Sequence, residues 1–262
     1  MRYLILSFVF LLVFSSFLLS EEISMNQLQG EWINKSYLES LHRTRSHYKA
    51  MFEKDINKVP AFYISQEDSI YRWSIALGFH EGMGYNISDL NPCSDPNTYE
   101  LVFHVHQDCG RISEHDRFFL LDGITGNEIV WNFNPLYLSM KGEQKISYVR
   151  LKPPLVDYIN YVLLVGTYSD QNGNTFTFHH SGKAKWPNKS FSYKVSLDTF
   201  LSILSSCDYF FVIGERNREG DRLCYPFKWL NNKLYIYDTY YDPPGTDSLQ
   251  PKKEPMYILT PK

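Results

Sequence analysis

Two hydrophobic rhythms divide the chain. The first is continuous: Leu4 to Leu19 holds only apolar residues and Ser, after the positive start Met1-Arg2-Tyr3 and before Glu21-Glu22. A charged start, an apolar run and an early polar stop describe a secretory signal peptide over residues 1–20, cleaved near Ser20. A retained N-terminal membrane anchor is the alternative, because the run approaches the length of a span. No Cys follows the run, which argues against a lipidated N-terminus. Either way the body of the chain is expected to be exported: secreted, periplasmic or in the cell envelope. No further membrane span is predicted.

The second rhythm is alternation, the signature of half-buried strands. In the first half it predicts strands at Leu28–Asn34, Ala61–Ile64, Ile70–Ile75, Tyr99–His106, Arg117–Leu121, Glu128–Phe133 and Lys145–Leu151. Gly78, Gly82 and Gly84 read as bends or bulges, and Asp122 to Asn127 as hairpin turn chemistry. Pro153-Pro154 is the clear break in composition. Beyond it come Tyr161–Ser169, Thr175–His180, Phe191–Val195, Tyr209–Ile213, Arg222–Leu230, Lys233–Thr239 and Met256–Leu259. Asn172-Gly173 within Asp170–Asn174 is a hairpin signal, and Asn231-Asn232 is a two-residue turn suited to positive φ. The Asp170–Asn174 segment lacks the spacing and the final Glu of a calcium loop, so it reads as a turn.

Two stretches carry helical spacing instead. Tyr37–Ser46 follows Ser36, which can cap it, and Glu39 sits three residues on, a capping-box spacing, with Tyr37, Leu38 and Leu41 on one face. Ser196–Ser205 places Leu197, Phe200, Leu201 and Leu204 on one face. About a dozen short strands with so little helix predict an all-β chain of antiparallel barrels, with one short helix in each half. The expected division is 26–152 and 155–262, with one continuous large barrel as the alternative.

Gly30-x-Trp32 followed by strands resembles the start of a lipocalin or wider calycin barrel, where the Trp closes the barrel floor. Gly166-x-Tyr168 with Thr175-Phe176-Thr177-Phe178 is similar to the start of a second such unit. The Thr-Asp-Tyr and closing-Arg motifs of lipocalins are not recognisable in the sequence. The resemblance implies one or two barrels able to carry a small apolar or amphipathic ligand.

Composition narrows the partners. The aromatic share is 16%, from 20 Tyr, 18 Phe and 5 Trp, and rings favour pleated, half-buried surfaces. A net charge of -3 with no basic run argues against nucleic acid and against a polybasic membrane patch. The 4 cysteines suggest two local disulfides, Cys93–Cys109 and Cys207–Cys224, although three connectivities are open. Each would stabilise by roughly 3 kcal/mol. There is no Cys-x-x-Cys to suggest a zinc site.

Several groups could carry chemistry. Arg43 and Arg45, with His42 and His47, could form an anion-binding rim or simply a solvated helix face. His104 and His106 project from one face of a strand, half of a metal site, with His80-Glu81 or His179-His180 as the remainder. The competing picture is a wet strand face with Phe103 and Val105 inward. Tyr235, Tyr237, Tyr240 and Tyr241, with Trp186 and Trp229, could line a ligand cavity or pack across strands. Together with Trp32, Tyr168, Arg43 and Arg45, Tyr235 and Tyr237 are the candidate ligand-binding residues. No Gly-x-Ser-x-Gly elbow, phosphate-cradling glycine loop or cofactor motif occurs, and Glu114 with Asp116 is too generic a pair to assign hydrolysis. Asn34, Asn86 and Asn188 open glycosylation-type triplets.

The expected function is therefore an exported, non-enzymatic binding protein for a small apolar or amphipathic molecule. The alternatives are a surface or envelope interaction module, and a metal protein or hydrolase using His104 and His106.

Overall fold

The computed structural model describes residues 23–53, 60–77, 81–94, 98–104, 117–125, 128–133, 144–197, 206–216, 222–241 and 249–262. The predicted signal segment lies outside these residues. The chain is all-β, with two closed antiparallel barrels of eight strands.

Alternation builds the first barrel. It opens with a one-turn helix α1 (Met25–Leu28), strand β1 (Gly30–Asn34), and helices α2 (Lys35–Thr44) and α3 (His47–Met51). Strands β2 (Ala61–Glu67), β3 (Ile70–Leu77), β4 (Glu81–Pro92), β5 (Tyr99–His104), β6 (Arg117–Thr125), β7 (Glu128–Phe133) and β8 (Gln144–Leu151) follow. Each strand pairs with the next, and β8 pairs back onto β1, Trp32 lying opposite Arg150. Phe62 and Ile64 are buried while Tyr63 between them is exposed, the period of two that the sequence displays. β2 and β3 turn through Asp68 (φ 48°) and Ser69 (φ 68°), a left-handed pair without an Asn-Gly signal. Gly82 and Gly84 are not bends: they lie inside β4, opposite Ala76 and Ser74.

The second barrel begins with helix α4 (Leu155–Leu163), then β9 (Gly166–Ser169), β10 (Thr175–Phe178), β11 (Lys183–Trp186), β12 (Lys189–Val195), β13 (Asp208–Arg216), β14 (Arg222–Leu230) and β15 (Lys233–Ile236). A two-stranded ribbon of β16 (Thr239–Tyr241) and β17 (Leu249–Pro251) interrupts before β18 (Tyr257–Pro261) closes the ring onto β9. Asn231 (φ 49°) and Asn232 (φ 56°) form the expected left-handed turn. Asp170 accepts the backbone N–H of Asn172 and Asn174, each at 2.9 Å, so its carboxylate organises the turn.

Three expectations change. Helix is not limited to one segment per half: four short helices occur among the described residues, and Tyr161 belongs to α4 rather than to a strand. Of the predicted Ser196–Ser205 helix, only Ser196 and Leu197 are described, and neither is helical. The cap of α2 is Asn34, whose Oδ1 accepts from Ser36 N at 2.9 Å and Tyr37 N at 3.2 Å, in place of Ser36.

The Cys207–Cys224 disulfide does not form. The register sets Cys224 opposite Phe211, four residues along from Cys207, a separation of about 13 Å at strand rise. Bridged Cα atoms need to approach to about 4.4–6.8 Å. No Sγ–Sγ bond occurs among the described residues; Cys93 is described, and its proposed partner Cys109 is not.

Among the described residues two large apolar clusters form, beside a small third one of Cys207, Tyr209 and Cys224. One fills the first barrel around Trp32, Phe62, Trp73 and Tyr148. The other fills the second barrel with rings and extends outward to Ile33, Tyr37, Leu41 and Ala50 of β1, α2 and α3. Helices α2 and α3 of the first unit are therefore part of the core of the second, whereas Leu28 of α1 belongs to the first.

Candidate functional site

Both barrels start alike. After a helix, a glycine enters the first strand and an aromatic residue two positions on donates back to the carbonyl four residues earlier. Trp32 Nε1 reaches Leu28 O at 2.9 Å and Tyr168 Oη reaches Leu164 O at 2.7 Å. Gly30 holds φ at 123°, a region that side-chain-bearing residues rarely adopt. The paired aromatic residue thus anchors each strand to the helix beneath it.

In the first barrel this anchor is the floor of the interior. Trp32 stacks on Phe62 with centroids 6.3 Å apart, and Phe62 meets Tyr148 at 4.8 Å and Trp73 at 6.1 Å. Below, Arg150 of β8 places its guanidinium 4.6 Å from the Trp32 ring centroid and donates to Gln27 O. Burial pushes the Tyr148 hydroxyl well above the ordinary tyrosine range, so it stays protonated. Ile64, Ile87, Leu101 and Ile146 are buried in the same cluster. The floor end carries the Asp68-Ser69 turn and the 93–98 and 126–127 connections, whereas the opposite end carries 35–60, 78–80, 105–116 and 134–143, among them the three longest.

In the second barrel the interior is filled by rings. Phe178 meets Phe210 at 5.7 Å and Tyr193 at 5.2 Å, and Trp186 meets Phe191 at 5.0 Å and Tyr225 at 5.4 Å. Pro261, not a cation, lies opposite Tyr168. The cation arrives from the first unit: Arg45, the left-handed residue ending α2, sets its Cζ 3.5 Å from the Trp229 ring centroid. Trp229 Nε1 in turn donates to Leu163 O at 2.9 Å. Burial pushes Tyr168 up to about 12, opposed by Arg45 beside it.

A buried polar seam runs next to this contact. Asp208 of β13 accepts the Tyr48 N–H at 2.7 Å, at the start of α3. Tyr37 Oη lies 2.7 Å from His47 Nδ1, and His47 Nε2 lies 3.3 Å from Leu197 O. His47 is fully buried and Asp208 nearly so. Burial pushes His47 down to about 4 and Asp208 up to about 6. For Asp208 the hydrogen bonds from Ser46 and the α3 backbone oppose that rise.

The predicted anion rim is dispersed by this packing. Arg43 is exposed and paired with Glu53 at 2.6 Å. His42 bonds Tyr158 Oη at 2.8 Å, Arg45 covers Trp229, and His47 is internal. Tyr235 lies between buried Leu234 and Ile236, on the outer wall. Tyr237 is buried just beyond β15, with Lys228 Nζ 4.9 Å from its ring centroid. Trp32 and Tyr168 anchor the two floors. His104 ends β5 opposite Asn86; its side chain, and His106 and Cys109 entirely, lie outside the described residues. Among the described residues no three His, Cys, Asp or Glu side chains gather as a metal site. The sequence reading missed Arg150, Asp208 and the inter-barrel role of His47. Asp208, a lone charge heading the apolar run Tyr209–Ile213, was the available clue.

Fold and geometry thus define a two-barrel β protein whose units share a helical seam. No family model, curated protein or solved structure matches the chain significantly.

Proposed function

We propose that the protein is an exported, non-enzymatic carrier of a small apolar or amphipathic molecule, bound in the first barrel. What carries this reading is the polarity of that barrel: an aromatic floor at one end, and the three longest connections at the other. An eight-stranded barrel either fills its interior or holds one small ligand. The second barrel takes the first course, with its rings in mutual contact, and serves as the base on which the first is mounted. Arg150 beneath Trp32 supports a lipocalin-like reading of the floor, since a cation closing on the Gly-x-Trp ring is the arrangement that resemblance implies. The predicted signal segment supports export.

The experiment is native mass spectrometry of the purified chain, followed by titration of a fluorescent fatty-acid analogue. The expected result is one bound molecule per chain, lost in Ile87→Trp and Leu101→Trp, which fill the first interior. Equal binding by both folded variants, or no binding and no co-purified mass, overturns the reading.

A further inference from the structure

Alternation hides a charge pattern in the second barrel. Between Gly166 and Val195 the sequence holds a single acid, Asp170, whose carboxylate is engaged by Asn172 and Asn174 of its own turn. The same stretch carries Lys183, Lys185, Lys189 and Lys194. Lys189 bonds Tyr225 Oη at 3.0 Å. The other three are exposed, because Ala184, Trp186, Tyr193 and Val195 take the inner positions of β11 and β12. The sequence contains no basic run, yet a period of two sets these lysines on one outer wall.

Register brings them together. Lys183 and Lys185 lie two residues apart on β11, about 7 Å at strand rise. Lys183 pairs with Ser192, so Lys194 on β12 is its diagonal neighbour at about 7–8 Å. The residues paired beside Lys185 are uncharged, Thr177 on β10 and Ser190 on β12. Among the described residues no acidic side chain forms an ion pair with any of the three. Separations of about 7–8 Å lie within the screening length of about 10 Å at 0.1 M salt, so the three fields add.

The chemistry of the wall selects its partner. Residues 166–195 hold no Arg, the side chain suited to bidentate recognition of one fixed carboxylate or phosphate. Phe176, Phe178, Trp186 and Phe191 are buried, so none of these rings offers a stacking platform for a base. Lysines are point charges on flexible stems, and they respond to a field rather than to a shape. A layer of laterally mobile phosphate headgroups is such a field.

We propose that the outer wall of β10–β12 docks on an anionic lipid bilayer, with Lys183, Lys185 and Lys194 against its phosphate headgroups. The interior of the first barrel takes no part in this contact.

The test is co-sedimentation of the purified chain with vesicles of phosphatidylcholine alone and of phosphatidylcholine mixed with phosphatidylglycerol. Binding to the mixed vesicles is expected to exceed binding to the neutral ones and to fall as salt rises. Insertion of the apolar segment Leu4–Leu19 would bind both kinds alike, so the neutral vesicles measure it. Lys183→Gln with Lys185→Gln is expected to weaken the charge-dependent binding about 25-fold, from about 1 kcal/mol per lysine. Lys183→Arg with Lys185→Arg is expected to retain it. Lys35→Gln with Lys253→Gln removes equal charge from exposed positions elsewhere and should have little effect. Equal binding to the two kinds of vesicle, or equal loss in the two Gln pairs, overturns the proposal. Binding to a soluble polyanion such as heparin without binding to vesicles also overturns it.

Discussion

Arg45 covers Trp229 at 3.5 Å, so the first barrel supplies the cation that closes the floor of the second. The first barrel closes its own floor with Arg150 on Trp32, from the strand facing Trp32. In the second barrel Pro261 holds the corresponding position and offers no charge. Arg45→Ala should therefore lower stability to urea by about 1–2 kcal/mol, the range of a desolvated cation–ring contact. Arg45→Gly should lose less, because φ at this residue is 48°, a conformation in which glycine is not strained. Equal losses in the two variants would assign the effect to something other than the backbone.

The seam makes a prediction about pH whose sign follows from burial. His47 is held neutral, with its pKa pushed down to about 4 from 6.5, so its stabilising contribution is complete above 6.5 and declines as pH falls toward 4. Asp208, pushed up to about 6 from 3.8, acts oppositely: the fold disfavours its ionised form, and stability rises as pH falls from 6 toward 3.8. Within the shared window the two nearly cancel. Asp208→Asn keeps an acceptor for Tyr48 N and should leave a protein that loses about 2–3 kcal/mol between pH 7 and pH 4 relative to the parent. His47→Gln should show the reverse slope. Urea unfolding at four pH values compares all three; parallel curves would refute the coupling.

Cys207 is predicted to resist alkylation. Its thiol is buried, and that burial pushes its pKa up to about 11, Lys228 opposing weakly. Mass spectrometry after iodoacetamide should find Cys207 unmodified in the native protein and modified in denaturant without any reductant. Modification that required reductant would restore the disulfide.

Asn160 ties α4 to the second barrel, its buried Oδ1 accepting Val195 N–H at 2.9 Å. Asn160→Ala leaves that donor buried and unsatisfied, and should cost about 1–3 kcal/mol. A thermal unfolding midpoint within error of the parent would show that water replaces the side chain.

What was legible before folding was local. Alternation at Phe176 and Phe178, or at Leu234 and Ile236, specifies an inner and an outer face within four residues. Asn231-Asn232 declares its own turn. The echo of Gly30-x-Trp32 in Gly166-x-Tyr168 exposed the internal repeat, although not the helix that precedes each copy. α4 was missed because Tyr161-Val162-Leu163-Leu164 is a short apolar run that fits a buried strand as well as a helix.

By itself, then, the sequence determined an all-β chain, most of its strands and the pair of aromatic anchors, because each rests on periodicity or turn chemistry spanning a few residues. Tertiary structure decided the rest. It divided the predicted cationic group: Arg43 went to Glu53, Arg45 to Trp229 and His47 to the interior. It also separated Cys207 from Cys224 along their strands. Those outcomes depend on ring closure, on register and on where α2 settles. All three are fixed by burying apolar area between segments far apart in the chain, which no local pattern records.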